Sequence, residues 1–344
     1  MNARSLVVCL VVVAVSACAP GRGDVRESSG PGRLLAGTFR RHIDHDGRRR
    51  SYIVHVPPQA AGEKPLPLVL NFHGGGGNAA GHREYTGLDR LADEEGFLVV
   101  YPDGTGRFGT LLLTWNAGAC CGFSMEHGID DVGFVRALIA DLATVAPIDG
   151  ERIYATGLSN GAMMAYRLAA EAADLVAAIA PVGGAARFTP LEPARPVPIL
   201  HIHSVDDPRA LYDGGLGPPF PLTINRIEHV PVEAVLADWA AINGCEQTPI
   251  PIESRQTESR EGATHGATLF VYPGCAAEVA LWKLTGAGHV WPGGTPAYLE
   301  QVLGPSTDVI DANRELWEFF EKFALPEPAG LELAADGSGP GAGL

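Results

Sequence analysis

Short apolar runs alternate with amphipathic stretches along most of this chain. Nearly continuous apolar runs predict strands covered on both faces, at Leu66 to Phe72, Phe97 to Tyr101, Arg152 to Thr156, Leu175 to Val182, Val197 to His203 and Val279 to Leu284. Helices are predicted between or after them, at Tyr85 to Glu95, Asp130 to about Val145, Ala162 to Ala173, Val230 to Asn243 and Ser306 to about Phe323. The alternation predicts an α/β fold with a mostly parallel, doubly wound sheet flanked by helices.

The two ends of the chain depart from this pattern. Arg4 precedes an apolar segment and then small residues, which predicts a signal peptide over residues 1–17 and a protein that works outside the cytoplasm. The run that ends in Cys18 resembles a bacterial lipoprotein box, with Cys18 as the lipidated residue, but it also fits ordinary cleavage and secretion. Residues 18–33 predict a flexible tether, 34–325 one catalytic domain and 326–344 a disordered tail.

The composition of the chain limits the kinds of molecule that it can be expected to bind. With 344 residues and 46% hydrophobic content, the chain can bury a large core. A formal net charge of −15 argues against nucleic acid or an anionic membrane surface as a partner, since little here would neutralise phosphates. Contact with a membrane is therefore expected only through a lipid anchor.

A serine lies between two glycines where a predicted strand passes into a predicted helix. Gly157, Ser159 and Gly161 give the spacing G-x-S-x-G, and this setting predicts a nucleophile elbow, a sharp turn that exposes the serine hydroxyl at the edge of a sheet. The amide of Asn160, at the start of the following helix, is predicted to stabilise an oxyanion.

Four glycines follow the strand that ends at Phe72. Their backbone can approach a bound group closely, which is the usual place for the second oxyanion donor, so we assign that amide to Gly74 or Gly75. His73, just before them, is expected to hold this loop by hydrogen bonds. Trp115, in the loop after the next strand, is predicted to form part of a substrate pocket.

A serine nucleophile needs a base and an acid that orients the base, and in this topology both follow the serine in the order acid, histidine. Asp207 lies at the end of a predicted strand and is the predicted acid, with Asp206 as the alternative. His289 lies among glycines after the last strand and is the predicted base, with Trp291 beside it as a second pocket residue.

Other constellations have simpler explanations. His201 and His203 lie near two aspartates, a pattern that also occurs in metal-dependent hydrolases. The Asp-His pair that usually follows in those enzymes is missing, so no metal and no cofactor are predicted. Asp130 and Asp131 are interpreted as a helix cap rather than an acid/base dyad.

The predicted mature chain has four cysteines, which allow three pairings: Cys120, Cys121, Cys245 and Cys275. The adjacent pair could form a vicinal disulfide or stay as free thiols.

These motifs together resemble the polyhydroxybutyrate depolymerase and feruloyl esterase-like family of α/β-hydrolases, over about Leu66 to Phe323. The resemblance is carried by His73-Gly74-Gly75, Trp115-Asn116-Ala-Gly118 with Cys120-Cys121, Asp130-Asp131-Val-Gly-Phe134, Gly157-Leu-Ser-Asn-Gly161, Asp207-Pro208 and Gly288-His289-Val-Trp-Pro-Gly293. It implies an α/β-hydrolase fold, a Ser159, Asp207 and His289 triad, and a disulfide between Cys245 and Cys275. The run Ser204-Val205-Asp206 departs from the family's usual Gly-Thr-Ala-like sequence, which is why Asp206 stays an alternative acid.

The resulting expectation is an exported serine esterase that works through an acyl-enzyme. Because no separate substrate-binding domain is predicted, soluble hydroxyalkanoate oligomers, acetylated sugars or hydroxycinnamoyl esters are expected substrates in preference to a solid polyester. The alternative is a catalytically inactive lipoprotein that uses the same fold as a binding module. A metal-dependent hydrolase is a third option.

Overall fold

The computed structural model of the protein describes residues 25–62, 64–118, 120–219, 226–258, 262–295 and 300–326. The predicted signal peptide, Cys18, the first part of the predicted tether and nearly all of the predicted tail lie outside the described residues. The strands are β1 (Val25–Glu27), β2 (Gly37–His45), β3 (Arg48–Val56), β4 (Leu66–Phe72), β5 (Leu98–Pro102), β6 (Ile148–Leu158), β7 (Ala178–Val182), β8 (Ile199–Ser204), β9 (Gly215–Leu216), β10 (Glu228–His229), β11 (Ile250–Glu258), β12 (Thr264–Tyr272) and β13 (Val279–Thr285).

Most of these strands share one sheet. Among the described residues it has eleven strands, in the order β1-β2-β3-β5-β4-β6-β7-β8-β13-β12-β11, while β9 and β10 pair separately. The six central strands run parallel to one another, in the order β5, β4, β6, β7, β8 and β13. The pairings outside this group are antiparallel, except that β1 pairs with β2 in parallel. The predicted α/β fold with a mostly parallel sheet is therefore confirmed.

Helices cover both faces of the sheet. They are α1 (Ala79–Thr86), α2 (Leu88–Glu95), α3 (Gly122–Glu126), α4 (Asp131–Ala143), α5 (Asn160–Glu171), α6 (Val232–Ile242), α7 (Glu300–Leu303) and α8 (Ala312–Phe320), with a 3₁₀ turn at Pro58–Ala61. Side chains of β4 point alternately to the two faces: Leu68 and Leu70 pack in a cluster with α4, α5 and α6, and Val69 packs in a second cluster with α2 and α8. Each such buried side chain contributes about 1.5 to 3 kcal/mol.

Two predicted helices have different bounds in the structure. The segment predicted as one helix from Tyr85 to Glu95 lies in two, α1 and α2, because Gly87 between them adopts a left-handed conformation with φ of 61°. The last helix begins at Ala312, not near Ser306, because the Asp311 carboxylate caps it by accepting from the amide of Asn313 at 3.0 Å. The predicted cap at Asp130 is correct, since its carboxylate accepts from the amide of Gly133 at 2.9 Å.

The structure departs from the predicted tether at residues 25–28. Strand β1 lies within it and pairs in parallel with β2, and the amide of Ser28 donates to the carbonyl of Arg40 at 2.9 Å. All three residues of β1 are exposed, so the strand is held by backbone hydrogen bonds and leaves no hydrophobic period in the sequence. The folded unit therefore begins by Val25, earlier than predicted.

The described residues contain two disulfides. Cys245, after α6, bonds to Cys275, between β12 and β13, which confirms the pairing that the family resemblance implied. Cys120 and Cys121 are paired as a vicinal disulfide, one of the two states that the sequence left open. No helix in the described part of the chain is long and apolar enough to cross a bilayer.

Candidate active site

The nucleophile turn joins β6 to α5. Ser159 has φ of 59° and ψ of −118°, a conformation that non-glycine residues rarely adopt, so the turn is strained. A Cβ at Gly157 would lie 2.5 Å from the carbonyl oxygen of Phe72, and one at Gly161 would lie 2.6 Å from the Phe72 carbonyl carbon. Glycine is required at both positions because β4 passes directly against the turn.

Two backbone segments flank this serine. Asn160 is the first residue of α5, where an amide has no acceptor within its own helix. On the other side, a Cβ at Gly74 would lie 3.5 Å from the Cβ of Ser159, so the glycine loop after β4 runs past the nucleophile turn. Gly75 lies inside a turn closed by the amide of Gly77, which donates to the carbonyl of Gly74 at 3.0 Å. The predicted oxyanion segments thus adjoin the serine.

The predicted acid and base lie in contact. Nδ1 of His289 and Oδ2 of Asp207 are 2.7 Å apart, and both side chains are buried. Oδ1 of Asp207 accepts from the amides of Arg209 and Ala210 at 2.7 and 2.8 Å. Asp206, the alternative acid, instead accepts from the amide of Gly286 at 2.7 Å. The contacts therefore favour Asp207 as the partner of the imidazole.

Burial would raise the pKa of Asp207, but the attraction of His289 and hydrogen bonds from His203 and His289 outweigh it and hold that pKa well below its usual range. The carboxylate is therefore ionised near neutral pH. An ionised acid beside Nδ1 places the proton on that nitrogen and leaves Nε2 as the basic one.

A two-glycine segment after β7 lies between the imidazole and the nucleophile turn. A Cβ at Gly183 would lie 3.5 Å from Nδ1 of His289, and one at Gly184 would lie 2.9 Å from the carbonyl carbon of Ser159. The amide of Ser159 donates to the carbonyl of Val182 at 2.9 Å. A Cβ at Gly184 would therefore overlap the backbone of Ser159, whereas one at Gly183 would be in ordinary contact with the imidazole.

Comparisons with known proteins show which family the chain belongs to. The sequence model of the family described as Esterase PHB depolymerase matches residues 50–241. The chain belongs to this esterase family. It is 34% identical over 288 residues to NocK of Nocardia uniformis subsp. tsuyamanensis, which carries an esterase name, with 78% of each chain covered. Feruloyl esterase B of Piromyces equi is 28% identical over 289 residues, which cover 80% of this chain and 46% of that protein.

A solved structure supports the fold. An S-formylglutathione hydrolase from Agrobacterium tumefaciens superposes with a TM-score of 0.51 at 13% identity, covering 83% of this chain and 94% of that one. This likeness and the sheet order give the α/β-hydrolase fold that the resemblance implied. With the family match, the protein is a carboxylic ester hydrolase.

His73 holds the glycine loop of this esterase. Its Nε2 accepts from the amide of Gly104 at 3.0 Å, so Nδ1 carries the proton and donates to the carbonyl of Gly74 at 2.8 Å. Burial lowers the pKa of His73 to about 4, so the ring is neutral and keeps this tautomer. The loop is thereby tied to the segment that follows β5.

The side chain of Asn160 makes contacts that the sequence did not reveal. Its Oδ1 accepts from the amide of Trp115 at 2.7 Å and its Nδ2 donates to the carbonyl of the same residue at 3.1 Å. The Trp115 indole then donates to the carbonyl of His73 at 2.9 Å. This chain of contacts fastens the nucleophile turn of the esterase to the glycine loop, so the two segments that would bind an oxyanion are held at a fixed separation.

The two tryptophans predicted to line a pocket are both buried. The Trp115 side chain is inaccessible to solvent, and the Trp291 indole donates to Oδ1 of Asn313 at 3.0 Å and meets the ring of His82 edge to face. In this conformation the indoles brace the loops and offer little surface to a ligand. Their pocket role stays a prediction.

The histidines considered as metal ligands are bonded to protein groups. His201 contacts Tyr166 and His203, and His203 contacts the carbonyl of Ala210. Across the described ranges no group of three or more histidine, cysteine, aspartate or glutamate side chains is arranged to hold a metal ion.

Replacing Gly161 with alanine should unfold or strongly destabilise this esterase. The new Cβ would overlap the carbonyl of Phe72 and lie 2.7 Å from that of His73, neither of which can move without displacing β4. We expect a loss of about 3 kcal/mol or more in the free energy of unfolding, measured by urea denaturation. Gly150→Ala is the matched control on β6, because nothing lies within 4 Å of its Cβ position, and it should change that free energy by less than about 1 kcal/mol. Equal effects of the two substitutions would contradict the steric argument.

Proposed function

We propose that the protein is a serine esterase in which Ser159 is the nucleophile, His289 the base and Asp207 the acid that orients it. The observation that carries the proposal is the contact of 2.7 Å between Nδ1 of His289 and Oδ2 of Asp207. Gly183 and Gly184 form the short segment between this pair and the strained turn at Ser159. A serine hydroxyl scarcely ionises at neutral pH, so its nucleophilicity requires such a base.

Acylation follows from this arrangement. Oγ of Ser159 bonds to the ester carbonyl carbon while its proton passes to Nε2 of His289, and the carbonyl oxygen becomes an oxyanion. Amides of Asn160 and of Gly74 or Gly75 bind that oxyanion, supported by the positive end of the dipole of α5. The bond to the leaving oxygen then breaks, the alcohol takes the proton from His289, and the acyl group remains on Ser159.

Deacylation repeats these steps with water. His289 takes a proton from the water molecule, the oxygen attacks the acyl carbon, and the same amides bind the second oxyanion. Collapse breaks the bond to Oγ, which regains its proton from His289, and releases the carboxylic acid. No cofactor enters either half of this cycle.

The proposed substrates are soluble carboxylic esters: hydroxyalkanoate oligomers, acetylated sugars or hydroxycinnamoyl esters. The names of the relatives support this range, since they include a feruloyl esterase and a bifunctional acetylxylan esterase/xylanase. Export, with lipidation of Cys18 as the one contact with a membrane, is proposed from residues 1–17 and the box that follows them.

Covalent labelling tests the proposal directly. A biotinylated fluorophosphonate should label the native protein once, and peptide mass mapping should place the label on Ser159, because only an activated serine displaces fluoride from this reagent. His289→Gln, which keeps the serine but removes the base, should label at least about 100-fold more slowly. A native protein that stays unlabelled would favour the catalytically inactive binding module.

A further inference from the structure

Behind the proposed acid, a line of buried side chains continues into the core. The hydroxyl of Tyr166 lies 2.9 Å from Nδ1 of His201, and Nε2 of His201 lies 3.0 Å from Nδ1 of His203. Nε2 of His203 lies 3.3 Å from Oδ2 of Asp207, the oxygen that also contacts His289. Both histidines are essentially inaccessible to solvent. The ester hydrolysis proposed above gives no role to either of them.

For neutral imidazole rings, one arrangement of protons satisfies every contact in this line. Nε2 of His203 also lies 2.8 Å from the carbonyl of Ala210, which can only accept, so this nitrogen carries the single proton of a neutral ring. Nδ1 of His203 therefore accepts, and the proton that it accepts must lie on Nε2 of His201. Nδ1 of His201 then accepts in turn, from the hydroxyl of Tyr166. Every donor in the line points toward Asp207.

Burial supports neutral groups at the far end. It lowers the pKa of His201 well below its usual value and raises that of Tyr166 well above, so neither group is charged near neutral pH. Other titratable groups also face the line: burial lowers the pKa of His229 and of Arg209 and raises that of Tyr212, whose ring stands edge to face on His203. Hydrogen bonds that point the same way strengthen one another in such a setting.

We propose that His203 is a positioning residue of this esterase: its Nε2–H, oriented by Tyr166 through His201, is shared between the carbonyl of Ala210 and Oδ2 of Asp207 and fixes the carboxylate against His289. The inference rests on the proposed role of the Asp207 and His289 pair. With the amides of Arg209 and Ala210 on Oδ1, this donor leaves the carboxylate no freedom to rotate. It also draws negative charge away from the oxygen that faces His289.

The proton arrangement can be read in the unaltered protein. Long-range ¹H–¹⁵N NMR of histidine-labelled protein at pH 7.5 should show His201 and His203 as Nε2–H tautomers and His289 as the opposite, Nδ1–H, tautomer. His203→Gln and His201→Gln assign the signals. A Nδ1–H tautomer at His203 would overturn the proposal, whatever the catalytic activity.

The pH profile provides the functional test. His203→Leu removes the donor, so charge concentrates on Asp207 and favours the protonated imidazole at 289; the acidic midpoint of the kcat/KM profile should rise by about half a pH unit or more. His203→Gln places an amide donor near the position of Nε2 and should keep the midpoint within about 0.2 units of the original. Lost packing alone would lower activity at every pH without moving the midpoint, and that result contradicts the proposal.

The serine mechanism and the positioning role of His203 are tested by different results. If Ser159→Ala keeps esterase activity, the proposed function is wrong, yet His201 and His203 can still carry their protons on Nε2. If the tautomers differ or both His203 variants share the original midpoint, the positioning role is wrong while the serine mechanism stands. Should His203→Leu not fold, the NMR result on the unaltered protein decides.

Discussion

Ser159→Ala should lower kcat for p-nitrophenyl acetate by about 10⁴-fold or more while the protein keeps its fold. The substitution removes only Oγ, and alanine carries the same Cβ, so it fits the turn at φ of 59° as well as serine does. Without the nucleophile no acyl-enzyme forms, and the residual rate comes only from binding and from the oxyanion amides.

A matched serine makes this test specific. Ser254 is exposed on β11, where its hydroxyl contacts that of Thr268 at 3.1 Å, and Ser254→Ala should leave kcat within about twofold of the original. Steady-state hydrolysis and thermal unfolding are measured on both variants. If Ser159→Ala retains more than about a tenth of the activity at an unchanged melting temperature, another group is the nucleophile.

The parts of this fold that carry continuous apolar runs could be predicted from the sequence. The strand predicted at Leu66 to Phe72 is β4 with the same bounds, because both of its faces are buried and no residue in it is polar except Asn71. The glycine spacing around Ser159 could be interpreted as well, because few residues tolerate the close passage of β4. Both signals are local in the chain.

Other elements of the fold have no hydrophobic pattern in the sequence that would predict them. Strand β11 was missed because most of Ile250–Glu258 is exposed and its pairing with β12 supplies the stabilisation through the backbone. The division of α1 from α2 depends on one glycine, Gly87, which the amphipathic pattern passes over. Elements at an edge, or joined by a single turn, are set by hydrogen bonds that composition does not encode.

Within the candidate site, the sequence named separate residues but not the contacts that join them. Asn160 was assigned for its amide, whereas its side chain also clamps Trp115, 45 positions earlier in the chain. The two candidate acids are adjacent in the sequence, and only the fold directs Asp207 to His289 and Asp206 to Gly286. Long-range polar contacts of this kind depend on which loops meet at the sheet edge.

Because only Asp207 contacts His289, substitutions at the two aspartates should differ strongly in their effect on activity. Asp207→Asn should lower kcat/KM by about 10³- to 10⁴-fold. The amides of Arg209 and Ala210 donate to Oδ1, so the new side chain must turn its oxygen toward them and its NH₂ toward His289. An NH₂ donor requires Nδ1 of the imidazole to accept, which moves the ring proton to Nε2 and removes the base that Ser159 needs.

Asp206→Asn is the matched control because it makes the same chemical change one residue away. The amide side chain of this variant would still offer an oxygen to the backbone amide of Gly286, so the loop that carries His289 should stay in place and kcat/KM should fall by less than about threefold. Both variants are compared by ester hydrolysis and by thermal unfolding. A larger loss at position 206 would make Asp206 the orienting acid and would require the loop after β8 to rearrange when substrate binds.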